Sequence, residues 1–238
     1  MEFLPTEIID IIKEYTIFKP KTKDELQEAV DLWCKNKEEV VIKFGDISLW
    51  DTSLINDMSK LFKSQENFND DINNWDVSNV KNMENMFHEC DKFNQNLNDW
   101  NVSNVKNMSM MFTEASNFNK PLNKWNVSNV EDMNFMFVNC KSFNQPLNNW
   151  DVSNVENMES MFRFCESFNQ PLNNWNVSNV DIMDNMFDGC KRFNQNLNDW
   201  DVKSTCTTVY MFDYTLFQKE GQITEWISFT EWIPDGDY

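Results

Sequence analysis

Residues 143–162 read FNQPLNNWDVSNVENMESMF, and residues 168–180 return to the same phrase as FNQPLNNWNVSNV. A catalytic site is one constellation built once, so a phrase copied at a fixed interval serves another purpose. Trp stands at 50, 75, 100, 125, 150, 175 and 200, always 25 residues apart. Phe recurs at 68, 93, 118, 143, 168 and 193, Met-Phe pairs from 86–87 to 211–212, and Val from 77 to 177, all with the same step. A constant period without insertions makes each unit one turn of a stack that rests on the turn before it.

Within a unit, LNNWDVSNV (147–155) fits the pattern L-x-x-W-x-V of a short strand. Trp150 and Val152 then alternate inward, and Asn149 and Asp151 outward. In the following SNVENMESMF, Val155, Met158 and Phe162 stand at i, i+3 and i+7, a helical face. Ser153 is placed to cap that helix with its hydroxyl. The expected fold class is therefore an α/β solenoid, a leucine-rich-repeat-like stack of about seven 25-residue coils, each a short strand plus a short helix or 3-10 turn. Trp75, Trp100, Trp125, Trp150, Trp175 and Trp200, with Phe87, Phe112, Phe137, Phe162 and Phe187, form its core columns. One coil's apolar side chains contribute roughly 15–20 kcal/mol if fully buried. Ordering its backbone costs on the order of 25–50 kcal/mol, so a coil folds only between neighbours.

The ends depart from the period. Ile8, Ile9, Ile11, Ile12 and Tyr15 predict one amphipathic helix, and TKDE (22–25) is a capping box that opens a second, with Leu26, Ala29, Val30 and Trp33 on one face. Beyond Phe212, Trp226, Phe229 and Trp232 are available to cover the last coil. The expected domains are a helical N-terminal cap (1–48), the repeat array (49–212) and an irregular C-terminal cap (213–238).

Ten Trp and twenty Phe argue against disorder, and four Gly against collagen-like or linker classes, although the net charge is −19. An acid excess spread along the chain repels phosphates, which excludes nucleic acid and anionic membranes as expected ligands. The N-terminus MEFLPTEIIDIIKEY carries acids where a secretory signal has Lys or Arg, and no stretch approaches the roughly 18 apolar residues of a span. Six scattered Cys are then free thiols in a reducing, cytoplasmic setting.

The phrase FNQPLNNWDVSNVENMESMFRFC (143–165) resembles the repeat of the BspA-like leucine-rich-repeat surface protein family. The preceding FKPKTKDELQEAVDLWCKNKEEVVIKFGDISLWDTSLINDMSKLF (18–62) resembles the leader that often introduces such arrays. That resemblance implies a solenoid acting by protein contact, with no catalytic residues or cofactor to carry over. LPTEIIDII (4–12) resembles the opening of an F-box, which implies a possible ubiquitin-ligase adaptor as partner and an F-box-like segment at 4–15. A surface or virion-associated attachment protein is the other alternative.

Among candidate sites, the Cys row (90, 140, 165, 190) reads as small buried side chains, since Ala115 fills one place and a linear column cannot converge on zinc. The Met columns read as core. Asn columns at 69–194, 73–198 and 79–179 read as amide ladders between coils. Calcium, which needs several carboxylates per ion, is not expected. His88 reads as exposed, and its being the single histidine excludes His-based triads and His-rich metal sites. Columns identical in every coil serve stacking, so specificity belongs to columns that differ. The outward positions Asn74, Asp99, Lys124, Asn149, Asn174 and Asp199, with Asp76, Asn101, Asn126, Asp151, Asn176 and Asp201, pave a polar, mostly acidic strand face. That face is the candidate binding surface for a protein partner. A second varied column, Lys81, Lys106, Glu131, Glu156 and Asp181, shifts from basic to acidic along the axis. No enzymatic function is expected.

Overall fold

The computed structural model describes residues 17–219. The F-box-like segment, the helix expected over residues 8–15 and the covering residues Trp226, Phe229 and Trp232 lie outside them. The first elements are α1 (Lys23–Lys35), α2 (Lys37–Phe44) and a 3-10 turn (Ile47–Leu49); a single-turn α3 (Leu216–Lys219) lies at the other end. Thr22 caps α1 by accepting from the Glu25 N–H, while the Glu25 carboxylate reaches back to the N–H of Lys21. Leu26, Ala29, Val30 and Trp33 are the buried face of α1. Trp33 meets Trp50 edge-on at 5.8 Å and donates its indole N–H to Asp70. Gln27 donates to the carbonyl of Leu61. These contacts seat α1 on the first turns of the repeat.

The repeat itself overturns the α/β assignment. Among the described residues there is no β-strand, and the periodic region contains no helix. Each 25-residue turn is a chain of tight turns, tied to its neighbour at a single parallel bridge: Asp57 to Asn82 to Asn107 to Asp132 to Asn157 to Ile182 to Thr207. The expected strand bends twice, because the N–H of Trp150 closes on the carbonyl of Leu147 (3.0 Å) and that of Val155 on Val152 (3.0 Å). The expected helix is where the bridge falls instead. Its N–H groups divide between two destinations. Met158, Ser160, Phe162 and Phe164 donate to Ile182, Asp184, Met186 and Asp188 of the next turn at 2.7–2.9 Å. Met161, Arg163 and Cys165 close three-residue turns within their own. Ser153 caps nothing helical; its N–H donates to Asp151 (3.1 Å).

This alternation needs left-handed backbone at two places per turn. Met110, Phe135, Ser160 and Asn185 occupy one column at φ 53–56°, and Glu89, Glu114, Asn139, Phe164 and Gly189 a second at φ 58–71°. For a non-glycine residue each costs about 1–2 kcal/mol, offset by the inter-turn bond each donates. Gly189 has a further reason. A Cβ there would clash with Cδ1 of Phe164, whose ring occupies that space and carries the Arg163 guanidinium 4.7 Å from its centre. We expect Gly189→Ala to cost about 2–3 kcal/mol, from overpacking plus backbone strain. In a Phe164→Ala background the cost should fall to about 1 kcal/mol in urea titrations; equal costs in both backgrounds would show that the ring is not the obstacle.

The core is one continuous cluster running the length of the stack. Within a turn, Phe137 stacks on Phe143 at 4.3 Å; between turns it faces Phe112 and Phe162 at 5.6 Å each. Trp125 and Trp150 lie parallel within 3° at 6.3 Å.

Candidate interaction face

The Trp corner positions the candidate face. From Ile47 to Leu172 the carbonyl three residues before each Trp accepts two donors, one from its own turn and one from the next. Leu97 O receives Trp100 N (3.1 Å) and the Trp125 indole Nε1 (2.8 Å). The same pair of bonds recurs on Ile72, Leu122, Leu147 and Leu172. The Trp column is thus hydrogen-bonded as well as packed, at 2–3 % exposure from Trp75 to Trp200. Holding Trp inward turns its two flanking residues outward.

All twelve candidate residues are exposed: Asn74, Asp76, Asp99, Asn101, Lys124, Asn126, Asn149, Asp151, Asn174, Asn176, Asp199 and Asp201. They occupy turns, not a strand. Residues of the 74-type column sit at the bend that ends in Trp. In the 76-type column, Asp76, Asn101, Asn126, Asp151 and Asn176 each accept from the N–H of the serine two residues on, at 2.9–3.2 Å. Those side chains are thereby fixed in direction along five successive turns. Lys124, the one cation of the face, pairs with Asp99 at 2.7 Å, which leaves Asp76, Asp151, Asp199 and Asp201 to set its acidic character. Chemically the face offers ordered carboxylate and amide groups spaced by one turn of the stack.

Two amide ladders flank it. Asn94, Asn119, Asn144, Asn169 and Asn194 each donate their backbone N–H to the Oδ1 of the asparagine one turn back, at 2.9–3.0 Å. Asn79, Asn104, Asn129, Asn154 and Asn179 each send an amide N–H to a serine carbonyl of the preceding turn.

Sequence reasoning missed three features. The buried thiols are donors: Cys90, Cys140, Cys165 and Cys190 bond the carbonyls of Phe62, Phe112, Phe137 and Phe162 at 2.8–3.0 Å. Burial pushes all four thiols well above the usual cysteine range; the half-buried Cys206 is pushed up to about 11, also by burial first. The acceptor stands 28 residues before each Cys, one period plus three, as it does before each Trp, and this shared offset was the available signal. We expect a thiol reagent to leave these four Cys unmodified in the native protein and to label them on unfolding; rapid native labelling would show open turns. His88, expected to be exposed, is half-buried: its Nδ1 lies 2.6 Å from Asn85 Oδ1, and burial lowers its pKa. Finally, a groove of about 700 Å³ opens at another corner, lined by Glu66, Glu89, Asp91, Glu114, Lys92 and Lys141 among others, of both signs.

Among the described residues no three His, Cys, Asp or Glu side chains converge to hold a metal ion, and no helix is long and apolar enough to cross a membrane.

Turns whose copied side chains are spent on bonds to the next turn, with variety kept to the outer bends, define a repeat protein. The chain belongs to the family described as Mycoplasma protein of unknown function, DUF285, whose model matches residues 32–139 and, overlapping them, 120–226. Each match spans about four of the 25-residue periods. No curated protein and no solved structure matches the chain.

Proposed function

We propose that this protein is a non-enzymatic scaffold that binds another protein through the exposed bends on either side of the tryptophan column. The supporting observation is the contrast between two kinds of position. Trp, Phe, Met and the ladder asparagines are the same in nearly every turn and are consumed by stacking, whereas the flanking positions are exposed, held in direction and varied in charge. A surface built this way recognises a partner by the order of its charges along the axis. Its acidic balance suits a partner with basic or amide-rich side chains.

The finer kinship we propose is with BspA-like repeat proteins, supported by the repeat phrase itself; the caps at 1–48 and 213–238 would close the array at 49–212. A reducing, intracellular setting is the reading consistent with free cysteines buried as hydrogen-bond donors. The F-box-like segment and an adaptor role rest on residues outside those described.

Affinity capture from the source cell, comparing the natural chain with an Asp76→Lys/Asp151→Lys/Asp201→Lys variant, tests the proposal. The bound protein should be lost with the variant while its melting temperature stays within a few degrees. A partner retained unchanged would remove this face from consideration. Deleting residues 1–17 in the same assay should release any ubiquitin-ligase adaptor if that segment recruits one.

A further inference from the structure

We propose that the column Lys81, Lys106, Glu131, Glu156 is a self-complementary docking row on which two copies of this chain associate antiparallel. The four residues occupy equivalent places in successive turns and are all exposed. Their backbones form an unbroken row: Lys106 N donates to Lys81 O, Glu131 N to Lys106 O and Glu156 N to Glu131 O, at 2.8–2.9 Å. The charges are therefore held at the inter-turn step of about 4.8 Å, in the order plus, plus, minus, minus. A two-fold axis between the turns of Lys106 and Glu131 places Lys81 opposite Glu156 of the second copy and Lys106 opposite its Glu131. A two-fold contact requires a patch to complement itself in this way.

Three further observations fit this partner. Lys106 and Glu131 already pair within the chain at 2.6 Å, with 60 % and 52 % of their side chains exposed; across the axis two such pairs close into a square of alternating sign. The column runs on to Asp181, which is already paired with Lys203 at 2.6 Å and which the axis sets opposite the neutral Asn56; Lys81 and Glu156 have no ion-pair partner among the described residues, and the second copy supplies one for each. The adjoining column is uniformly Asn79, Asn104, Asn129 and Asn154, short, neutral and tied to serine carbonyls, so no bulky or charged side chain on that flank holds the copies apart. A parallel second copy would set like against like. The net charge of −19 opposes association, but at physiological ionic strength it is screened beyond about 8 Å. Exposed pairs are individually weak, so the dimer is a weak one that forms at high concentration.

Sedimentation equilibrium of the full chain at about 1 mM protein and 0.15 M salt should show reversible dimers. Lys81→Glu/Lys106→Glu makes the row wholly acidic, and Glu131→Lys/Glu156→Lys makes it wholly basic; each should weaken self-association about tenfold or more. Mixed together, the two variants should form heterodimers at least as tight as the natural dimer. Both variants remain strongly acidic overall, so net charge cannot produce that recovery. A carbodiimide, which joins only touching amine and carboxylate, should link Lys81 to Glu156; within one chain they are three turns apart, about 14 Å, so the link must join two copies. A natural chain that stays monomeric, variants that associate equally well alone, or a mixture that recovers nothing each overturns the proposal. Melting curves of both variants should match the natural chain, as their side chains lie outside the core.

Discussion

Trp125→Ala should lower unfolding stability by about 3–5 kcal/mol, as large aromatic truncations in packed cores do. Two losses combine. The indole leaves a cavity that cannot collapse, since Trp125 is stacked on Trp150 at 6.3 Å and lies 6.4 Å from Phe112. Its Nε1–H no longer reaches Leu97 O. That carbonyl keeps the N–H of Trp100, so the missing bond costs only about 0.5–1.5 kcal/mol. Trp125→Phe separates the terms: it keeps most of the ring and removes the donor, and should cost about 1–2 kcal/mol. In a stack where each turn touches only its neighbours, the damage should also be local. Amide exchange should accelerate in the turns holding Trp100 and Trp150 before those near Trp50 and Trp200. Near-neutral stability, or uniform acceleration, would sink the picture of a hydrogen-bonded indole spine.

The period and the columns could be read directly from the chain, because apolar residues copied at a fixed interval must fall one above another if the turns stack. What could not be read was the backbone between them. The pattern L-x-x-W-x-V looks like a strand, yet Leu147 and Trp150 are the two ends of one tight turn. Val155, Met158 and Phe162 look helical because tight turns of i to i+3 bonds also bring every third residue to one face. Apolar spacing reports which side chains are inside, not where each N–H goes; here alternate N–H groups leave for the next turn. The left-handed positions carried almost no warning. Phe135, Ser160 and Phe164 are not residue types that favour positive φ, and only Asn85, Asn139, Asn185 and Gly189 hint at it. Of the candidate face, the exposure of the residues beside Trp followed from the pattern. Their serine-bonded bends did not, because an Asp or Asn followed by Val-Ser fits a strand equally well.

Removing residues 126–150 should leave a folded, cooperative protein, whereas removing residues 126–138 should not. The first deletion joins Trp125 to Asp151 and excises one whole period, so every column downstream still meets its counterpart: Trp175 above Trp125, Phe162 above Phe112, Cys165 above Ala115. The parallel bridge can re-form between Asn107 and Asn157 as it does now between Asn107 and Asp132. The only loss is one turn with its two interfaces replaced by one, and the denaturant m-value should fall by about a tenth, in proportion to chain length. The shorter deletion removes about half as much chain but puts the two halves half a period out of step. Indoles then face bends, carbonyls such as Leu122 O lose the side-chain donor above them, and the row of bridges is interrupted. The cost is a whole interface, more than about 5 kcal/mol, comparable with the total stability of a domain. Near-ultraviolet circular dichroism, dominated by the stacked Trp and Phe, should keep its native shape in the first variant and collapse in the second. If both deletions proved equally tolerable, adjacent turns would not need to match, and the copying of one phrase along the chain would have lost its physical reason.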